Sequence, residues 1–215
     1  MRMLPALMAL MALMALTVLT ACFSGLNSKI PAQQRYVLRP TLAAPMLAAP
    51  APAAAAPAAP DATVQVLRPS GAPGLAGEGV AVLRPGARLD YYSNARWAAD
   101  APAALQTLVI DSLRNAGRFA TVEADTGPFA AQYVLSLELE HFEAEYGADG
   151  PPTVQVALVC SLGRRSERSV IVSFTARSAV RAQADRMQAV MAAFEQATTE
   201  ALSQVAANIV PPAAP

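Results

Sequence analysis

Lysine, histidine and cysteine are scarce in this chain, and net charge is missing altogether. Among its 215 residues Lys29 is the single lysine and His141 the single histidine, and the only cysteines are Cys22 and Cys160. The formal net charge of +0 excludes the basic stripe that a nucleic-acid binder normally carries. With one histidine, a Ser-His-Asp site would have to be built on His141, and no Gly-x-Ser-x-Gly turn offers an activated serine. Gly71, Gly74 and Gly77 are not followed by Lys-Ser/Thr, so they do not make a nucleotide loop. Zinc and calcium ligand spacings are absent as well. Glu138, Glu140, Glu143 and Glu145 fall close together, but a straight strand would send the first two and the last two to different faces. They are read as solvated strand residues facing arginines. The expectation is a protein without catalytic residues, metal or cofactor.

What the sequence does have begins at its N-terminus. Arg2 precedes an apolar run from Leu4 to Leu19, broken only by Pro5 and Thr17. This is shorter than the roughly 20 residues a spanning helix needs, and it fits the apolar core of a secretory signal. The run ends in Leu19-Thr20-Ala21-Cys22, which resembles the lipobox of bacterial lipoproteins. The resemblance implies cleavage before Cys22 and lipid attachment to its thiol, with residues 1–21 as the signal peptide. Several acyl chains on one residue would anchor it stably, at about 0.8 kcal/mol per buried CH₂. Phe23 rather than Asp follows the cysteine, which in that class favours the outer membrane, with the domain facing the periplasm. Cys160 is then alone, in the alternating run Val154, Val156, Leu158, Cys160, Leu162. It reads as a small buried core residue.

Residues 22–35 form a tether, 36–209 one α+β domain, and 210–215 a disordered tail. A first short strand is expected at Tyr36-Val37-Leu38. The Ala/Pro-rich, uncharged insertion at 42–60 cannot bury a core and stays extended. Strands are then expected at Thr63–Leu67, Gly79–Leu83 and Arg88–Tyr92, the last two joined through Pro85-Gly86. Asp100 and Pro102 open a helix whose apolar stripe includes Leu105, Leu108, Val109 and Leu113, and Gly117 closes it. Phe119–Val122, Tyr133–Glu140, Val154–Leu162 and Val170–Phe174 read as strands, the long ones by strict alternation. A second helix runs from about Asp185 to Ile209 with Val190, Phe194, Leu202 and Val205 on one stripe. The architecture is therefore a two-layer α+β domain, a mixed or antiparallel sheet with two amphipathic helices on one face.

Aromatics are only 6% of the chain, yet Tyr91, Tyr92 and Trp97 cluster around Asn94 and Arg96. Such a group suits an interface anchor, while Trp97 equally suits a brace between helix and sheet. Taken with Gly74-Leu75-Ala76-Gly77, Arg88-Leu89-Asp90-Tyr91-Tyr92, Asn94-Ala95-Arg96-Trp97 and the helix Pro102–Leu108, the order of motifs resembles the ABC-type transport auxiliary lipoprotein family. The resemblance spans roughly residues 36–209 and is densest over 74–119. It implies a non-catalytic accessory lipoprotein of a paraquat-inducible or other MCE-type lipid transporter. The implied partners are an MCE substrate-binding protein, an inner-membrane permease and a cytoplasmic ATPase. Leu75, Tyr91, Tyr92, Arg96 and Trp97 are the candidate contact residues, and a ring of copies around a tunnel is compatible with that role. A regulatory or structural lipoprotein contacting cell-wall synthesis machinery is the alternative. Carriage of lipid by the domain itself would need a cavity beside Met187, Met191 and Phe194.

Overall fold

The computed structural model describes residues 33–41, 59–128 and 130–212. The leader, Cys22, the tether up to residue 32, the Ala/Pro-rich segment over 42–58 and the last three residues lie outside the described residues. The described strands are β1 (Gln34–Tyr36), β2 (Ala59–Val66), β3 (Ser70–Gly71), β4 (Gly79–Arg84), β5 (Arg88–Trp97), β6 (Phe119–Ala124), β7 (Tyr133–Glu145), β8 (Thr153–Arg164) and β9 (Ser169–Arg181). The helices are α1 (Ala101–Ala116) and α2 (Met187–Asn208).

All nine strands join one mixed sheet that forks at β7. One edge of β7 pairs antiparallel with β8 along its whole length, and β8 pairs antiparallel with β9. The other edge is shared in turn by β2 at Tyr133–Leu135, β3 at Glu138–Leu139 and β4 at Glu143–Glu145, all parallel. β6 lies beyond β2, and β5 then β1 lie beyond β4. Alternation makes this possible. Tyr133, Leu135, Leu137 and Leu139 point inward and are buried, while Ser136, Glu138 and Glu140 are exposed. Each fully buried leucine contributes about 1.5–3 kcal/mol by leaving water.

Both helices cover the inward face and touch each other, where buried Ser112 Oγ donates to the Leu202 carbonyl at 3.3 Å. α1 packs on β6, and α2 packs on β8 and β9. Asp100 caps α1 by accepting from the Ala103 N–H at 2.9 Å, and Gly117 ends it at φ 65°. Trp97, Phe142 and Phe194 meet at the junction of sheet and α2, with ring centroids 5.1–5.3 Å apart. Cys160 is buried with a free thiol.

Several elements depart from expectation. β1 sits two residues earlier than Tyr36–Leu38, because its partner is the late segment Ala95–Trp97 of β5. β9 extends to Arg181 rather than Phe174. Its second half continues the alternation with Ala176 and Ser178, small residues that carry little hydropathy signal, before Val180. β7 is bulged between Leu139 and His141, so the residues after the bulge swap faces. Phe142 and Ala144 turn inward and Glu143 lies on the open face, buried rather than solvated. Its carboxylate accepts from the Phe142 N–H at 2.6 Å and lies 2.7 Å from His141 Nδ1.

Candidate docking site

β5 does not stop at Tyr92, where the sequence suggests its end, but runs on to Trp97. Gly79 pairs with Arg96 and Ala81 with Tyr91, so β4 advances two residues while β5 advances five. The extra residues bow out of the ladder, and Ser93 and Asn94 are exposed at the crest. Pairing resumes at Arg96, where Gln33 braces the bow. The Arg96 Nε donates to Gln33 Oε1 at 2.7 Å, and Gln33 Nε2 donates to the Ser93 carbonyl at 3.4 Å.

Tyr91 is half exposed at 50% yet fixed at both ends. Its hydroxyl donates to the Gly74 carbonyl at 2.9 Å, and its ring lies over Gly79, where a Cβ would come within 2.5 Å of Cδ1. Gly74 adopts φ 88°, and a side chain there would overlap Leu89. The glycine loop thus serves as the bed of Tyr91. Tyr92 turns the other way and is half-buried. Tyr146 donates to Asp185 Oδ1 at 2.6 Å, so in the 3.0 Å contact between the two phenols Tyr92 is the donor. Burial, and then the Asp185 hydrogen bond, push the Tyr146 phenol above its ordinary range; burial likewise raises Tyr92. This relay holds the base of the bow and keeps both phenols neutral.

Of the five residues expected at the contact, Tyr91 and Arg96 are exposed and Tyr92 is half-buried. Leu75 and Trp97 are corrections. Leu75 is turned into the core by the bond from its N–H to the Ala72 carbonyl, and Trp97 faces inward against Phe142 and Phe194. Neither presents a surface to a partner. Gln33, Glu78, Tyr91, Tyr92 and Arg96 instead surround a hollow of about 520 Å³. Gln33 and Glu78 were not foreseen, since nothing in the local pattern marks a tether residue or a loop glutamate as neighbours of β5.

Elsewhere the chemistry is quiet. Burial pushes the Cys160 thiol up to about 12, which keeps it protonated and unreactive at neutral pH. Among the described residues no three His, Cys, Asp or Glu side chains are placed to hold a metal ion. Among them, too, no helix is long and apolar enough to cross a membrane.

Residues 46–206 match the family described as ABC-type transport auxiliary lipoprotein component. The chain belongs to this family. The match runs from the Ala/Pro-rich segment to the last turn of α2 and takes in the bow, its glycine bed and both helices. As a family member the chain is an auxiliary lipoprotein of ABC-type transport, placed in the cell envelope. A crystallised DUF330-family protein from Xanthomonas campestris is similar at 28% identity and a TM-score of 0.61, over 69% of this chain and 85% of that one. A second crystallised protein, uncharacterised and 15% identical, shares the fold at a TM-score of 0.61 over 82% of this chain and 97% of that one. No curated protein matches the sequence.

Proposed function

We propose that this auxiliary lipoprotein serves an MCE-linked lipid transporter as its non-catalytic anchor at the outer membrane, held there by lipid on Cys22. The bow of β5 is the surface that docks the periplasmic MCE protein. The observation that carries this reading is the Tyr91 side chain, half exposed and yet immobilised by Gly74 and Gly79. A rigid aromatic whose rotamer is already fixed loses little entropy on binding, which is how interface anchors work. Arg96, held by Gln33, stands beside it as a pre-oriented charged donor. The permease and ATPase are partners at one remove, through the MCE protein.

The test uses the tagged full-length lipoprotein and recovery of its MCE partner. Tyr91→Glu should abolish recovery while the thermal unfolding midpoint falls by only a few degrees, since the hydrogen bond given up to the Gly74 carbonyl is worth about 0.5–1.5 kcal/mol. Gly79→Ala should weaken recovery without touching the partner-facing chemistry, by lifting the Tyr91 ring. Full recovery with both variants removes the bow as the docking surface.

A further inference from the structure

We propose that the hollow between the β8–β9 hairpin and the start of β7 is a binding site for a phosphate group. It holds about 420 Å³ and is lined by Gln132, Tyr133, Arg164, Arg165 and Ser166 together with Ala131. That volume falls in the range of small-molecule sites, about 300–1,000 Å³, and exceeds what a bare ion needs.

Arg165 is held without being neutralised, while Arg164 is paired with a single carboxylate, Glu167. Arg165 donates from Nε to the Ala131 carbonyl at 3.1 Å and from Nη2 to Gln65 Oε1, and its backbone N–H donates to the Gln132 carbonyl at 2.9 Å. Every one of those acceptors is neutral, so the full charge remains. Arg164 lies over the Tyr133 ring, 6.0 Å from its centroid, and gives Nη1 to Glu167 at 2.9 Å. Its Nε–H is out of solvent and has no partner among the described residues. That buried N–H is closed to a ligand; Nη2 of Arg164 and Nη1 of Arg165, which make no bond among the described residues, are the groups left to give to one. Arg168 adds a third arginine to the same hairpin, against the single carboxylate of Glu167. In a chain with no net charge, this is a local concentration of positive charge and not a reflection of the whole. Guanidiniums whose placement is already fixed lose little entropy when their remaining N–H groups bind phosphate oxygens.

The phosphate could belong to a phospholipid headgroup or be free. The hollow is lined by residues distant from the bow in the fold, so its failure and that of the docking reading are separable. The experiment titrates the full chain with inorganic phosphate, with short-chain dihexanoyl phosphatidylglycerol, and with a dihexanoylglycerol lacking phosphate. Saturable binding of the phospholipid, absent for the phosphate-free lipid, is expected. Inorganic phosphate alone should bind more weakly and compete. Arg165→Gln should weaken binding roughly tenfold or more, the value of a charge-assisted hydrogen bond. Because that side chain also ties β8 to β2, Ser166→Asp is the second variant. It leaves both arginines in place, sits on an exposed turn, and should weaken binding as much while leaving MCE recovery unchanged. Binding of inorganic phosphate without the lipid keeps the site and assigns it to free phosphate. No saturable binding of either probe, or binding that Ser166→Asp leaves intact, overturns the proposal.

Discussion

The two flanks of β7 are built differently. On one side β8 follows it in one long ladder from Tyr133↔Arg164 to Glu145↔Thr153, with a single bulge, and β9 follows β8 as continuously, with a single shift between Leu162 and Gly163. On the other side three short strands share one edge, and the ladder between β4 and β5 is broken by the bow. The regular flank buries one face under α2 and repeats the same contact along its length. The irregular flank holds side chains at fixed angles in hollows, Tyr91 and Arg96 among them. Regular ladders supply the stability, and interruptions in them re-aim side chains toward partners.

The two flanks meet at Trp97, where the largest effect is expected. Trp97→Ala should cost about 3–5 kcal/mol in urea unfolding, because it empties the space between Phe142 and Phe194. Tyr91→Ala, six residues away, should cost only about 0.5–1.5 kcal/mol, the value of its hydrogen bond to Gly74. Equal losses would mean that the bow is part of the core and not a platform on it.

A smaller effect is expected at the β7 bulge. Glu143→Ala leaves the Phe142 N–H without its acceptor and should cost about 1–3 kcal/mol, with faster hydrogen exchange at that amide. Asp100→Ala removes the α1 cap that follows directly on the bow and should cost about 1 kcal/mol. On the regular flank, Cys160 offers a readout without mutation. With the thiol pushed up to about 12 by burial, a thiol reagent at pH 8 should react only as fast as the domain unfolds. Rapid labelling would show that the β8–β9 flank opens locally, against its regular pairing.

Away from its bulge, the long-stranded flank is also the more legible one. Val154 to Leu162 and Tyr133 to Leu139 alternate so strictly that their faces follow from the period alone. Asp100, Pro102 and Gly117 marked the ends of α1 because capping is local chemistry. The bulge at Glu140–His141 was not legible, since an inserted residue in a run of glutamates leaves no gap in hydropathy; Glu143 was therefore placed on the wrong side of the solvent boundary. The motif Gly74-Leu75-Ala76-Gly77 pointed to the right neighbourhood. It could not separate Leu75, which serves the core, from Gly74, which serves Tyr91, because that division depends on how loop and strand meet across 17 residues. Trp97 was ambiguous for the same reason: its face depends on how many residues the bow takes up.

The measurement that tests the account most directly is purification of the tagged, full-length lipoprotein from its own membranes, with mass spectrometry of what accompanies it. An MCE protein together with an inner-membrane permease is expected, both lost when Tyr91 is replaced by Glu. Recovery of cell-wall synthases in their place, unaffected by that substitution, would contradict it.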